Sequence, residues 1–386
     1  MPESPIRKLV PFAEKAKKQG IDVLHLNIGQ PDIDPPVNVI KKIQNFNIKS
    51  IEYSHSAGIE NYRKGLAKYY NKIGNNIFYQ NILVTTGGSE ALNIILNCIC
   101  DADDEIIIPD PYYANYNGFT NASNVKIQSI KCSIEQNFTL PSDKEVEKKI
   151  TKKTKGILIC NPGNPTGALY TINELQKLAK IVKKYNLFLI ADEVYREFIY
   201  DNQKHHSILS LKNIEKNCIV IDSVSKRYSM CGARIGAIIS KNKDIIDTAL
   251  KFAQARLSPP TFGQIAALEA LNTKQSYFES VIKEYSERRN QLVQDINKIP
   301  GVKCPMPKGA FYCIAELPVE NAEKFCQWLL SDFSFNNRTV MLAPANGFYS
   351  KENRVNNQVR IAYVLNRNKL RKATEIIRKG LEKYKN

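Results

Sequence analysis

The sequence predicts an α/β fold, in which a mostly parallel central sheet is flanked by helices in a large unit and followed by a smaller α+β unit. Three observations predict it. In the middle of the chain, short apolar runs alternate with longer amphipathic ones: NILVTT, SEALNIILNCI, DEIIIP, KGILICN, TINELQKLAKIVKKYN, LFLIADE and NCIVIDSVS. The short runs are apolar throughout, so they read as strands buried on both faces, and strands interleaved with helices form parallel sheets. From about residue 245 long helical patterns take over. After about residue 285 a new succession begins, with a helix, a strand pattern around GAFYCIAELP, a helix at AEKFCQWLLSDF, the strand NQVRIAYV and a terminal helix. Finally, 386 residues exceed one ordinary core. The expected divisions are 1–45, an N-terminal segment packed with the small unit, 46–285 for the large unit and 286–386 for the small C-terminal one.

The composition, 43% hydrophobic and 24% charged, is that of a folded globular chain. No apolar run is long enough for a membrane span, and the first twenty residues lack the apolar stretch of a secretory signal, so a cytoplasmic protein is expected. The net charge of +17 is spread through segments such as VEKKITKKTK and LRKATEIIRKGLEKYK, where it reads as solvated helix faces. No nucleic-acid partner is expected, although the excess attracts small anions. Nine Cys, an odd number without a paired CxxC arrangement, read as reduced and mostly buried thiols. The four His lack ligand spacing, and no metal is expected.

In open α/β sheets ligands bind beyond the carboxyl ends of the strands. The residues there are polar: Thr86-Gly87-Gly88-Ser89, Asp110-Pro111-Tyr112-Tyr113, Asn161-Pro162-Gly163-Asn164-Pro165, Asp192-Glu193-Val194-Tyr195 and Asp222-Ser223-Val224-Ser225-Lys226. A Gly-Gly turn that opens a helix is either an anion site, because exposed amides face outward, or only a tight turn. Asp192 follows a buried run, where an acid needs a cationic partner; a helix cap or a core salt bridge would also account for it. Lys226 stands in a loop near Arg234. A lysine close to cations and partly desolvated has a depressed pKa and serves as nucleophile and then base.

Taken together, LNIGQPD at residue 26, NPGNPTG, ADEVYREF, SVSK…ARIG and VRIAYV ending at residue 364 resemble the class I and II aminotransferases of the type I pyridoxal-phosphate fold, over nearly the whole chain. The resemblance implies pyridoxal 5'-phosphate as cofactor and Lys226 as the amine that forms a Schiff base with it. It implies that Asp192 faces the pyridine nitrogen, and that Tyr195 and Asn164 donate to the phenolic oxygen. Arg234, Ser223 and the amides of Gly88 and Ser89 match the phosphate cradle, and Tyr113 the ring that stacks on the cofactor. Arg360 resembles the arginine that grips the substrate α-carboxylate, with Gly29 where the N-terminal segment closes over it. Tyr53 resembles a tyrosine that reaches the phosphate of a neighbouring subunit, which implies a homodimer with shared sites.

The implied activity is ping-pong transfer of an amino group from an L-amino acid, of the aspartate or glutamate type, to a 2-oxo acid such as 2-oxoglutarate. A carbon–sulfur or other β/γ-lyase on the same scaffold is the alternative, and a non-catalytic effector-binding domain is disfavoured by the presence of Lys226, Asp192, Tyr195 and Arg360. One departure concerns the side-chain end of the substrate. Many bacterial aspartate-type members carry a Lys directly after the Gly-Gly turn, where this chain has Ser89; Arg256, in AQARLSPPTFGQ, is the candidate for a distal-carboxylate contact.

Overall fold

A computed structural model describes residues 4–47 and 49–384, so the outermost ends of the expected first and last divisions, 1–3 and 385–386, lie outside the described residues. The first strand, β1 (Asp22–His25), lies ahead of the large sheet in the chain. Seven more, β2 (Ile82–Thr85), β3 (Glu105–Asp110), β4 (Lys126–Lys131), β5 (Thr154–Cys160), β6 (Phe188–Asp192), β7 (Cys218–Ser223) and β8 (Gly236–Ile239), form one sheet in the order β2-β8-β7-β6-β5-β3-β4. Its pairs are parallel from β4 through β7, and β8 runs antiparallel to both of its neighbours.

Burial on both faces is what the apolar runs demand. Along β3, Ile107 packs into one core with Ile157, Leu189 and Val220, while Ile106 and Ile108 point to the other with Leu158, Ile190 and Ile221. Helices cover both sides. The helix Gly87–Ile99 follows β2, and the helix Ile172–Tyr185 opens on a capping box in which the Glu174 amide donates to Thr171 and the Glu174 carboxylate accepts the Thr171 amide.

Two strands of this sheet are absent from the sequence-based pattern. β4 reads KIQSIK, a polar strand at the sheet edge, and β8 is only the four residues GAII. Neither makes a long apolar run, because an edge strand buries one side and a short strand lacks length.

The remaining strands, β9 (Tyr312–Glu316), β10 (Arg338–Met341), β11 (Ala343–Pro344) and β12 (Gln358–Ala362), include those anticipated at GAFYCIAELP and NQVRIAYV. β11, β12 and β9 form an antiparallel three-stranded sheet, and β10 pairs in parallel with β1. Around them a third core collects Ala13 and Ala16 of the helix Val10–Lys18 with Phe311, Phe325, Leu329 and Ile376. The division expected between 285 and 286 falls inside the unbroken 22-residue helix Gln275–Ile296. Tyr285, Leu292 and Ile296 of that helix join the third core, while Phe278 packs against the core of the large sheet. Among the described residues, no helix is long and apolar enough to cross a membrane.

Candidate active site

The carboxyl ends of β5, β6 and β7, the start of the helix Gly87–Ile99 and the strand β12 meet around a cavity of about 510 Å³. Gly29, Gly88, Ser89, Tyr113, Asn164, Asp192, Tyr195, Ser223, Lys226, Arg234 and Arg360 all line it. These are the sequence-selected positions apart from Tyr53 and Arg256.

Lys226 is carried on the one-turn helix Val224–Arg227, whose start is capped by Ser223 Oγ accepting from the Ser225 amide at 3.2 Å. Its Nζ donates to the Gly29 carbonyl at 2.9 Å and lies 3.7 Å from Cys231 Sγ. Burial pulls its pKa below the ordinary lysine value, and the Arg360 and Arg234 cations pull in the same direction. A neutral amine is therefore more accessible here than on the surface. Gly29 has to be glycine, because a Cβ there would lie 1.6 Å from Tyr312 Oη.

Behind Lys226, the next residue locks the helix in place. The Arg227 guanidinium sits 2.7 Å from Asp222 Oδ1 and 2.8 Å from Glu197 Oε1, with its carbon 4.4 Å from the centre of the Tyr69 ring. Arg227→Ala leaves two carboxylates without their counter-charge in an almost dry site. It is expected to cost about 3–5 kcal/mol of stability, read as a large fall in the denaturant midpoint.

Asp192 ends β6 and is buried. Burial pushes its pKa up to about 6, although Tyr116 Oη donates to Oδ2 at 2.9 Å and the Val194 amide approaches Oδ1 at 3.4 Å. This carboxylate has no cation bonded to it among the described residues, so a cationic partner inside the cavity would be strongly favoured. Tyr195 Oη lies 3.0 Å from Tyr312 Oη and 3.5 Å from Asn164 Nδ2.

Arg360 is almost completely buried on β12, between the Tyr312 and Phe348 rings at 4.6 and 4.8 Å. Its Nη1 donates to Asn164 Oδ1 at 3.0 Å and its Nη2 to the Asn27 carbonyl. Nε has no hydrogen-bond partner among the described residues. A buried, unneutralised guanidinium with an open donor suits a carboxylate.

At the other end, the helix Gly87–Ile99 presents its first amides to the cavity, and Arg234 lies beside them in a left-handed conformation with φ 55°. The fit leaves no room for side chains. A Cβ on Gly87, itself at φ 76°, would lie 2.4 Å from Arg234 Nη2, and one on Gly236 would lie 2.5 Å from the Gly87 carbonyl carbon. Free helix amides, a guanidinium and two serine hydroxyls, Ser223 and Ser225 at 3.0 Å from each other, make a donor set for a phosphate dianion. With Tyr113 on the cavity wall, its hydroxyl held by Asn115 Nδ2 at 2.8 Å, the residues present fit pyridoxal phosphate.

Tyr53 and Arg256 lie elsewhere. Both line a shallow pocket on the far side of Thr86, where Tyr53 is 78% exposed. Arg256 Nε is 3.1 Å from Glu90 Oε1 and its Nη2 donates to the Val84 carbonyl at 2.7 Å. Within one chain neither reaches the cavity. Conversely, Tyr116, Tyr312 and Asn27 belong to the site although no role was assigned to them from the sequence; Asn27 lies within LNIGQPD. A cluster of tyrosines just after β3 is a usable signal for Tyr116, whereas no local pattern marks Tyr312.

A protein-family model described as "Aminotransferase class I and II" matches residues 21–377. The chain belongs to this family. The class I and II aminotransferases are pyridoxal-phosphate enzymes, so this aminotransferase is one too. An aspartate aminotransferase from Pyrococcus horikoshii is 33% identical over 98% of this chain and 95% of its own length. Among solved structures, an aspartate aminotransferase from Thermotoga maritima superposes with a TM-score of 0.90 at 30% identity, covering 99% of this chain and 98% of that one. An alanine aminotransferase from Pyrococcus furiosus gives 0.89 at 29% identity, with 99% and 98% covered. The aminotransferase thus has the type I fold that the resemblance implied, with the mostly parallel central sheet and flanking helices that its strand pattern anticipated.

Proposed function

We propose that this aminotransferase moves the amino group of an aspartate- or glutamate-type L-amino acid to a 2-oxo acid such as 2-oxoglutarate, in two half-reactions at one site, with Lys226 as the residue that holds pyridoxal phosphate. The observation that carries this reading is the convergence of a desolvated amine, a desolvated acid and a buried guanidinium on a single cavity. The aspartate aminotransferases among its relatives support the substrate class.

When bound, the cofactor supplies an aldehyde carbon that exchanges one amine for another and a pyridinium ring that withdraws electrons from the substrate α-carbon. The chain's own residues do the rest. Gly88, Ser89, Ser223 and Arg234 would hold the phosphate, with Tyr113 beside the ring. Asp192 holds a proton at the ring nitrogen, an ion pair that offsets the burial of its carboxylate. Tyr195 and Asn164 orient the phenolic oxygen, and Arg360 binds the substrate α-carboxylate in a bidentate pair. Lys226 Nζ would take the proton from the substrate α-carbon, a task that its lowered pKa suits.

Exposed Ile51 and Tyr53, 69% and 78% accessible, sit at the mouth of the second pocket. They support a homodimer in which Tyr53 reaches the partner's phosphate, and any role of Arg256 at a substrate would belong to the same assembly.

Borohydride reduction of the yellow holoenzyme tests the core of this reading. It is expected to fix the cofactor on the peptide containing Lys226, and aspartate or glutamate added alone is expected to convert the visible absorbance stoichiometrically to that of the aminated cofactor. Label on another lysine, or continuous release of pyruvate and ammonia, contradicts it.

A further inference from the structure

We infer that Arg7 reads the distal carboxylate of the substrate and so sets the preference for dicarboxylic amino acids; this rests on the dicarboxylate reading above. Among the described residues, four cations line the cavity, Arg7, Lys226, Arg234 and Arg360, against the single carboxylate of Asp192. Lys226 is taken by the cofactor, Arg234 faces the phosphate end and Arg360 the α-carboxylate. Arg7 alone has no assigned anion. Among the described residues no side chain bonds or pairs with its guanidinium, and it is exposed at the cavity wall.

A lone exposed arginine is ordinarily a solvated charge, but here both flanks are held. A Cβ at Gly347 would lie 2.5 Å from Pro5 Cβ, so Pro5 seats on a bare backbone. Ile6 packs against the cluster of Ala114, Ala343 and Phe348, and Phe348 is one of the two rings that bracket Arg360. The Ile6 carbonyl accepts from Asn27 Nδ2 at 2.8 Å, and the Asn27 carbonyl in turn accepts from Arg360. On the other side, Lys8 Nζ pairs with Glu323 at 2.5 Å. The two arginines are therefore set on one shared support, Asn27, with the backbone at Arg7 fixed and its side chain free to turn.

The rival positions are weaker. Ser89, at the start of the helix Gly87–Ile99, carries no charge, and Arg256 is neutralised by Glu90 outside the cavity. A second arginine in the same cavity as Arg360 matches a substrate with a carboxylate at each end.

The test uses the holoenzyme and maleate, a dicarboxylate that cannot react. Arg7→Ala is expected to raise the calorimetric Kd for maleate about 30-fold and to lower the ratio of kcat/KM for glutamate over alanine by a similar factor, with Arg7→Lys recovering part of both. A maleate Kd and a ratio that stay at wild-type values in Arg7→Ala overturn the assignment. So does a ratio kept in Arg7→Ala but lost in Arg256→Ala. A wild-type enzyme without any preference for glutamate over alanine overturns the dicarboxylate reading as a whole, and this inference with it.

Discussion

Lys226→Ala is expected to bind pyridoxal phosphate without a covalent link and to lose transamination by about 10⁴-fold or more, because under the role proposed for Lys226 one substitution removes both the amine that holds the cofactor and the base that moves the substrate proton. The side chain is fixed by the Gly29 carbonyl and the cap on the helix Val224–Arg227, so its removal leaves a local gap without unpairing another charge. Folding should survive. Stopped-flow half-reactions with glutamate would show the fall directly, and a small primary amine in the buffer should restore part of the rate. A variant that keeps more than a few per cent of wild-type turnover contradicts the role given to Lys226.

Asp192→Asn is expected to separate stability from activity. In the free protein, burial lifts this carboxyl from an ordinary value of 3.8 to about 6. The sign follows from which state holds the proton longer. Between those two pH values the unfolded chain has already lost the proton that the folded chain keeps, so stability falls as pH rises, and the full cost is present above about pH 6. A difference of that size corresponds to roughly 3 kcal/mol. The amide carries no such cost and still accepts from Tyr116. Apoprotein of Asp192→Asn should therefore be more stable than wild type at pH 8, by about 1–3 kcal/mol, and the difference should vanish near pH 4. With cofactor bound the order reverses, because the neutral amide gives the ring nitrogen no counter-charge; kcat should fall about 10²- to 10³-fold. Urea titrations of both forms across pH, beside glutamate turnover, check both halves. An apoprotein gain that persists at pH 4 would show that the carboxylate is not the source of the strain.

Much of this site was legible because strand ends are legible. A run such as LFLIA is buried on both faces and stops where polarity returns, so Asp192 had to lie at the carboxyl edge of a sheet, and the same logic placed Ser223, Lys226 and Asn164 there. What escaped is held by contacts between segments far apart in the chain. Tyr312 is one aromatic in an apolar strand, and only the fold brings its hydroxyl to 3.0 Å from Tyr195. Arg7 lies in an unremarkable first turn, and its importance comes from Asn27 and Gly347 beneath that turn. Arg256 shows the converse: within one chain this cation in a plausible loop lies beside Glu90, outside the cavity. The helix that runs across residue 285 serves two cores at once, which an amphipathic pattern does not show, since it marks a covered face and not what covers it.

The pairing of β1 with β10 also bears on how the chain is made. Val23 meets Thr339, across roughly 320 residues of sequence, and at an elongation rate of about 5–20 residues per second the first strand waits some 15–60 s for its partner. Throughout that interval the apolar side of the amphipathic N-terminal helix, and Leu24 beside it, lack their native partners on β10 and the helix Ala322–Ser331. Arg360 emerges later still, after Asn27 has long been synthesised, so the bond between its guanidinium and the Asn27 carbonyl forms only near the end of synthesis.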